Sequence, residues 1–426
     1  MGCGCGCSSG DSKPREVSLK TEKQTDQDGS LHLPAEVMEK LRVTPGSKVL
    51  ISASSNGLLL RSTNPELSKL YIEPTNTCNL SCRTCIRHTW KDSEGFMSRE
   101  VYLKLLAEAS EFKSLRKISF WGFGEPLLHP DIVEMVAQAK QLGVETQIIT
   151  NGLLLDKKMA EGLMQAGLDS IVVSIDGTSE EVQADIRSGA DLNAIKKNVK
   201  YLRLIRERKS QMNPEIGIEF VVTRSNVKEL GNLKILANEL GASFIFISNL
   251  LPYSSEMKDD ILYLDSVRMG TGENDNPRIY FPPIDNRRDE GENIIKVSGP
   301  LDLSHTTLKK GDGYCRFVDE GTLVVSWDGE VSPCVALMRS YSCYVLDRKK
   351  DIKKYTVGNV AKDTIKDLWE KPDFVSFRER VQRFDFAPCT CCGGCDMSES
   401  NEEDCYGDTF PVCGDCLWAQ GVIQCP

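Results

Sequence analysis

The chain has 426 residues, about three times the length of one domain, so its length predicts two or three domains. Hydrophobic residues make up 40% and charged residues 27%, a composition that permits a sizeable core. The net charge of −10 argues against a DNA partner, since nucleic-acid binders normally carry a basic face. Because the sequence has neither an apolar run of about 18 residues nor a secretory signal, we expect a cytoplasmic protein with no membrane partner.

The 17 cysteines are grouped rather than spread along the chain. Three lie within the first seven residues, three between Cys78 and Cys85, and eleven between Cys315 and Cys425. In a reducing compartment, clustered thiols are more often ligands of metals or clusters than partners in disulfides. The distribution therefore predicts iron or zinc sites.

The N-terminal part of the chain differs in composition from the rest. Residues 1–14 are rich in Gly, Cys and Ser, which predicts a flexible tail. Residues 15–64 predict a small β unit with turns at Asp28-Gly29, Pro45-Gly46 and Asn56-Gly57. A strand follows the first turn, and a short helix begins after Pro34. Two further strands are predicted at Lys48–Ser52 and Leu58–Arg61. Such short elements bury too little surface to be stable alone, so we expect this unit to form a homodimer or to pack on its neighbour.

Residues 65–250 alternate extended apolar segments with segments of helical period. Helical spacing is clear, for example, at Ile132, Met135, Val136 and Ala139. Strand–helix alternation predicts an α/β fold with a parallel sheet, and six units rather than eight predict an open, partial (β/α)6 barrel. The six predicted strands are Tyr71–Pro74, Ile118–Trp121, Thr146–Thr150, Ser170–Ile175, Ile216–Val222 and Ser243–Ile247.

This alternation stops after the sixth strand. Residues 251–313 are rich in Pro, Asp, Asn and Gly, and we interpret them as a long excursion whose structure the sequence does not specify. Residues 314–426 contain the remaining cysteines and form the predicted C-terminal domain.

The loop after the first predicted strand carries Cys78, Cys82 and Cys85 with the spacing C-x3-C-x2-C. Three thiolates on one tight loop can bind three irons of a cubane and leave the fourth iron open to an exchangeable ligand. A structural zinc site uses four ligands, usually with C-x2-C pairs. A zinc loop or buried free thiols is the alternative interpretation.

Polar and glycine-containing motifs follow the next three strands, where barrel-type folds keep their active sites. Glycine lets the backbone approach a ligand closely, and a carboxylate can accept from an amino group. Each motif alone is weak, because Asn-Gly and Asp-Gly are usually turns. Their occurrence at successive strand ends predicts a shared binding site made of Gly122, Gly124, Glu125, Asn151, Ser174, Asp176 and Arg187.

Over roughly Leu70 to Asn249, these motifs resemble the radical S-adenosylmethionine (SAM) superfamily. The resemblance implies that the cysteine loop binds a [4Fe–4S] cluster and that SAM chelates its open iron. It places Gly124 and Glu125 at the SAM amino group, Ser174 and Asp176 near the ribose, and Arg187 near the carboxylate. The implied chemistry is reductive cleavage of SAM to a 5′-deoxyadenosyl radical, with an electron donor such as ferredoxin or flavodoxin.

The C-terminal region resembles the SPASM extension of radical SAM enzymes, which holds two auxiliary [4Fe–4S] clusters. The spacing C-x13-G-x4-C from Cys315 to Cys334 matches, whereas the later spacing of the family is not reproduced. A zinc ribbon is the alternative. Eleven cysteines exceed the eight that two clusters use, and Cys343 and one of the adjacent Cys391 and Cys392 are the weakest candidates. The predicted ligands are Cys315, Cys334, Cys389, Cys392, Cys395, Cys405, Cys413, Cys416 and Cys425.

Residues 28–61 resemble the AbrB-like swapped-hairpin domain, a dimeric fold that often binds DNA. Nearly the whole chain resembles the radical SAM maturases, or cofactor-modifying proteins, of tungsten-containing aldehyde ferredoxin oxidoreductases. This resemblance implies a peptide, protein or cofactor substrate. Two alternatives stay open: a maturase of ribosomal peptides or protein side chains, and a metal-binding AbrB-like transcription regulator.

Overall fold

The computed structural model describes residues 32–41, 43, 45–46, 49–54, 57–63, 65–90, 92–263, 315–387, 389–390 and 395–425. The chain divides into two compact units, residues 1–62 and 63–426. No helix within the described ranges is both long and apolar enough to cross a membrane. The tail at residues 1–14 and the turn at Asp28-Gly29 with its following strand lie outside these ranges.

The described residues of the first unit form one helix and one hairpin. Helix α1 (Ala35–Leu41) follows Pro34, as predicted, and Gly46 has a φ of +90°, which suits the predicted Pro45-Gly46 turn. Strands β1 (Val49–Ser54) and β2 (Gly57–Ser62) pair antiparallel, with Val49 opposite Ser62.

The second unit is built on a parallel sheet whose strands are almost wholly buried. All six predicted strands are present, with ends that move by no more than two residues. They pair in sequence order, as right-handed strand–helix–strand units predict. Their bounds are β3 (Lys69–Ile72), β4 (Lys117–Phe120), β5 (Glu145–Thr150), β6 (Ser170–Ser174), β7 (Glu215–Val222) and β8 (Phe244–Asn249).

The helices between these strands pack apolar faces on the sheet, and four of them begin at a capping side chain. Asp156 accepts from the Met159 amide and Asp191 from the Ala194 amide, satisfying N–H groups that have no partner within their helix. The helices are α2 (Arg99–Ala109), α3 (Ile132–Lys140), α4 (Lys157–Gln165), α5 (Glu180–Ile186), α6 (Leu192–Arg208) and α7 (Leu230–Leu240).

The C-terminal region extends this same sheet. Strand β9 (Thr322–Val325) pairs parallel with β3, with Lys69 opposite Thr322. Strands β10 (Glu330–Ser332) and β13 (Gly358–Asn359) continue the sheet antiparallel. In the described part of the chain, the sheet therefore has nine strands, and its edge strands β13 and β8 leave it open. The predicted core at 65–250 and C-terminal domain at 314–426 share one sheet.

The remaining described elements belong to the C-terminal region and to the start of the predicted excursion. Residues 251–263 form a short 3-10 helix at Glu256–Asp260 and bury Ile261, Leu262 and Tyr263; residues 264–314 lie outside the described ranges. A separate hairpin joins β11 (Tyr341–Val345) to β12 (Arg348–Ile352). The helices are α8 (Arg316–Asp319), α9 (Ile365–Glu370) and α10 (Pro372–Arg383).

The junction between β3 and β9 depends on a glycine. Gly321 has a φ of +65°, and a Cβ there would lie 2.1 Å from the Glu66 carbonyl oxygen. The Gly321 carbonyl accepts from the Ser68 amide at 2.8 Å, which sets the register of the two strands. Any other residue would push the strands apart.

We therefore expect Gly321→Ala to lower the free energy of unfolding by roughly 3 kcal/mol, since it combines backbone strain with a main-chain clash. Gly143→Ala is the matched control, because Gly143 has a φ of +72° but no atom of the described residues lies within 4 Å of an added Cβ. Strain alone predicts a loss of about 1 kcal/mol there. Denaturant unfolding of both variants measures the difference, and equal losses would contradict this account of the junction.

Candidate functional site

The structure brings the predicted motifs together at the carboxyl ends of the core strands. The Glu125 amide donates to the Thr77 carbonyl at 2.9 Å, and the Asn151 side chain donates to Asn79 Oδ1 at 2.8 Å. The Arg83 amide donates to the Ile186 carbonyl at 2.8 Å. The cysteine loop is thus fixed directly to the segments that follow β4 and β5 and to the last residue of α5.

The three cysteines of this loop lie near one another. Cys82 is buried, and Cys78 and Cys85 are half-buried. Burial raises the pKa of all three thiols, and the Arg187 cation opposes this rise for Cys82 and Cys85. The loop is tight, since the Cys85 amide donates to the Cys82 carbonyl at 3.1 Å. Three soft sulfur donors beside a cation fit an iron–sulfur cluster, which is ligated by thiolates.

The glycines after β4 let one loop pack on another. A Cβ on Gly124 would lie 2.2 Å from the Thr75 carbonyl oxygen, and one on Gly122 would lie 2.4 Å from Glu73 Cγ. The sequence predicts that these glycines admit a ligand. The structure shows that they admit the loop that leads to the cysteines, and contact with SAM stays a prediction.

Glu125 is 2% exposed and holds neighbouring backbone in place. Its Oε1 accepts from the Leu127 amide at 3.0 Å and the Thr150 hydroxyl at 2.6 Å, and its Oε2 accepts from the Asn151 amide at 2.7 Å. A carboxylate offers about four acceptor positions, and the described residues use three of those on Glu125. Burial raises the pKa of Glu125, and these hydrogen bonds oppose the rise. The carboxylate therefore chiefly fixes the position of the loop after β5.

Asp176 and Arg187 form a buried ion pair. Asp176 is fully buried, and its Oδ2 accepts from Arg187 Nε at 2.7 Å while its Oδ1 accepts from the Val221 amide at 2.8 Å. Burial disfavours the Arg187 cation, but the charges of Asp176, Cys82 and Glu219 raise the pKa of Arg187 above its usual value. Asp176 thus orients Arg187, which stays charged beside the cysteine loop.

Glu219, on β7, belongs to this group and was missed by sequence reasoning. Its Oε2 accepts from the Ser174 hydroxyl at 2.9 Å. Burial raises the pKa of Glu219, and the Arg187 cation opposes the rise. An acidic residue within an otherwise apolar strand, Ile216–Val222, was the available signal. Ser174 is turned toward Glu219, so its predicted place near a ribose stays a prediction.

A second buried ion pair, also missed, joins the core to the C-terminal region. Glu73 is fully buried and Arg339 is 2% exposed, with Arg339 Nη2 2.6 Å from Glu73 Oε2. Glu73 also accepts from the Phe123 amide at 3.1 Å and the Trp327 amide at 3.5 Å. Burial raises the pKa of Glu73, and Arg339 opposes the rise. No local sequence signal marks Arg339 as its partner.

In the C-terminal region, one internal cavity is lined by several predicted cluster ligands. Burial raises the pKa of four thiols that line it. For Cys334, the charges of the three other thiolates add to the rise. Four thiols at one cavity are the donor set that a [4Fe–4S] cluster requires. The four are Cys315, Cys334, Cys413 and Cys416.

The other C-terminal cysteines lie in different surroundings. Cys343 lines the same cavity, although the sequence ranks it among the weakest candidates. Cys425 accepts a hydrogen bond from Trp418 Nε1 at 3.2 Å and is absent from the cavity wall. Cys389 is buried, Cys395 and Cys405 are exposed, and Cys392 lies outside the described residues. Their roles as ligands stay predictions.

The spacing of these groups bears on the kind of metal they suit. Among the described residues, no three His, Cys, Asp or Glu side chains lie close enough together to bind one ion. The thiolates of a [4Fe–4S] cubane can lie farther apart than the ligands of a single ion, because each thiolate binds a different iron. His88 and His129 instead contact main-chain carbonyls of Cys82 and Met97.

Two family models match the chain. The model of the radical SAM superfamily matches residues 72–208, and that of the SPASM iron–sulfur cluster-binding domain matches residues 315–396. The first range spans the cysteine loop and the strand ends from β3 to β6. The second begins at Cys315 and includes Cys395. The resemblance inferred from the motifs is confirmed by these matches.

Two relatives align with the chain over different lengths. The tungsten-containing aldehyde ferredoxin oxidoreductase cofactor-modifying protein of Pyrococcus furiosus is 35% identical over 364 residues, which are 84% of this chain and 96% of the relative. The PqqA peptide cyclase of Granulibacter bethesdensis is 32% identical over 185 residues, 43% of this chain and 47% of the cyclase.

The fold is similar to that of SuiB from Streptococcus suis. Its structure with bound S-adenosylmethionine matches 80% of this chain and 73% of that chain, with a TM-score of 0.55 and 16% identity. Its structure with the precursor peptide SuiA matches 85% and 76%, with a TM-score of 0.52. The prediction of an α/β fold with a parallel sheet is confirmed.

The ion pair of Asp176 with Arg187 gives a direct test of the site. Asp176→Asn keeps the size of the side chain and an acceptor for the Val221 amide but removes the charge that orients Arg187. We expect SAM affinity to fall by about 5- to 150-fold, the equivalent of about 1–3 kcal/mol, with unchanged iron content. Equilibrium dialysis and iron analysis measure the two quantities.

The matched control is Glu134→Gln, because Glu134 pairs with Arg99 on the exposed surface. It should leave SAM affinity unchanged, since exposed ion pairs contribute little. Unchanged SAM affinity in Asp176→Asn would contradict the role given to Arg187.

Proposed function

This chain belongs to the radical SAM enzymes that carry a SPASM domain, and from that premise we propose that it acts in the maturation of a tungsten-containing aldehyde ferredoxin oxidoreductase. The observation that carries the proposal is the 35% identity to the Pyrococcus furiosus cofactor-modifying protein, which extends over 96% of that relative. An alignment of this length includes the core and the C-terminal cysteines together.

In this proposal, one group of residues in the chain binds the [4Fe–4S] cluster and another binds SAM. When bound, the [4Fe–4S] cluster with SAM supplies a 5′-deoxyadenosyl radical that abstracts hydrogen from a substrate. Cys78, Cys82 and Cys85 hold the cluster in this proposal. Arg187, oriented by Asp176, provides a fixed cation for the SAM carboxylate. Glu125 holds the Asn151 backbone beside the cysteine loop, and the acceptor position of Glu125 that the described residues do not use accepts from the SAM amino group.

The SPASM domain binds auxiliary iron–sulfur clusters, and we assign one of them to the cavity. The support is that Cys315, Cys334, Cys413 and Cys416 line it together and supply the four thiolates of one cluster. The second cluster takes its ligands from the remaining cysteines, including Cys389, Cys395 and Cys405.

The proposed substrate is macromolecular: a peptide, or a protein connected with the tungsten oxidoreductase. The PqqA peptide cyclase and SuiB, which is seen with its precursor peptide, support a peptide or protein substrate by similarity. They also keep a maturase of ribosomal peptides as the second candidate. A transcription regulator has no comparable support, since the radical SAM and SPASM models cover 72–208 and 315–396.

Residues 15–64 have a proposed accessory role. Their helix and hairpin agree with an AbrB-like unit that forms a homodimer or docks substrate. The proposal for the whole chain also includes the partial (β/α)6 barrel, an electron donor such as ferredoxin or flavodoxin, and a cytoplasmic site of action.

Iron content tests the cluster assignment. Anaerobically reconstituted protein should contain about twelve irons, at four per cubane. Changing Cys78, Cys82 and Cys85 to Ala should remove about four irons and abolish SAM cleavage, because the reactive cluster is lost. Changing the four cavity cysteines to Ala should remove about four different irons. Stoichiometric zinc in anaerobically isolated protein would instead support the zinc-ribbon alternative.

Product analysis tests the substrate. The reduced enzyme is incubated with SAM and with each protein encoded by a neighbouring gene. We expect 5′-deoxyadenosine together with a mass change in one of these proteins, and neither with the variant that lacks Cys78, Cys82 and Cys85. If only a free small molecule, such as a cofactor of the oxidoreductase, stimulates SAM cleavage and is modified, the macromolecular proposal is wrong.

A further inference from the structure

The β11–β12 hairpin places a buried lysine beside the cavity cysteines. Alternate residues of β12 face opposite sides, as in any strand. The Lys350 side chain is 4% exposed, whereas the neighbouring Lys349 side chain is 60% exposed. Lys350 also lines the cavity together with the thiols, so one of two adjacent lysines is directed at the proposed cluster site.

Asp415 holds Lys350 in this position. Lys350 Nζ lies 2.8 Å from Asp415 Oδ1 and 2.9 Å from Oδ2. Asp415 is 3% exposed and stands between Cys413 and Cys416 in the sequence Cys-Gly-Asp-Cys. The anion is therefore part of the segment that supplies two of the proposed ligands.

Arg348, on the same face of β12, adds a second cation. Its Nη2 lies 3.7 Å from Asp415 Oδ2 and donates to the Cys389 carbonyl at 3.1 Å. The hairpin thus reaches from the cavity to the main chain at Cys389. Lys350 and Asp415 both line the cavity, and Arg348, half-buried beside Asp415, brings the summed charge of these three side chains to +1.

We propose that Lys350, held by Asp415 and assisted by Arg348, raises the reduction potential of the auxiliary cluster in the cavity. Reduction adds negative charge to a cluster, so a nearby positive charge stabilises its reduced form. Buried charges are screened far less than exposed ones, and therefore act at longer range. A buried ion pair contributes little stability relative to apolar residues, so electrostatic tuning accounts for this pair better than stability does.

This inference rests on the cluster assignment proposed above. The same experiment therefore also measures whether the auxiliary clusters are present. The parent protein is the full chain with Cys78, Cys82 and Cys85 changed to Ala, which leaves about eight irons in two auxiliary clusters. Midpoint potentials are measured by redox titration followed by electron paramagnetic resonance. Iron content and thermal unfolding are recorded for each variant.

Single charge changes should shift an auxiliary potential in opposite directions. Lys350→Met removes the cation and should lower the equilibrium constant for reduction about tenfold, or about 59 mV for one electron. Asp415→Asn removes the anion and should raise it. The double variant restores the net charge and should lie near the parent. Lys349→Met, which removes the same charge from the exposed face, should cause no shift.

The outcomes separate the two proposals. About eight irons in the parent, with potentials that do not move or move in the same direction, would overturn the tuning role alone. A parent without auxiliary iron would overturn the cluster assignment, and the tuning role with it. If Lys350→Met does not fold, the sign of the shift in Asp415→Asn and the position of the double variant decide the question.

Discussion

The buried contact between Glu73 and Arg339 connects the end of β3, which leads into the cysteine loop, with the loop after β4 and with the C-terminal region. The Glu73 carboxylate accepts hydrogen bonds from the Phe123 and Trp327 amides, and Gly122 packs against the Glu73 side chain. These partners belong to the end of β3, the loop after β4 and the turn between β9 and β10. Breaking a buried pair is strongly destabilising because it leaves one charge without compensation. The cysteine loop, the glycine loop and the C-terminal region are therefore held in one fixed arrangement.

Within this arrangement, polar side chains mostly position backbone. Hydrogen bonds to main-chain or side-chain partners within the protein are formed by Glu125, Asn151 and Asp176. Such residues restrict the site before a ligand arrives, which reduces the entropy lost on binding. Arg187 is the charged group that this scaffold directs toward the cysteine loop.

Much of this organisation could be predicted from the sequence, because it depends on local patterns. The six core strands are apolar runs bounded by turns, and the cysteine loop follows the first of them directly. Pairing of β3 with β9 could not be predicted, since Lys69 and Thr322 are far apart in sequence. The grouping of Cys413 and Cys416 with Cys315 is also a product of tertiary packing, as is the burial of Lys350 rather than Lys349.

The position of β9 has a consequence for the order of folding. Strand β3 precedes the cysteine loop, yet one of its two hydrogen-bonding edges is completed by residues 322–325. Contacts this distant in sequence form slowly, because a long loop must close first. During synthesis from the N-terminus, the core emerges with β3 as an open sheet edge. The strand that carries the cysteine loop reaches its final form only after the C-terminal region has been made, so assembly of the reaction centre is coupled to completion of the chain.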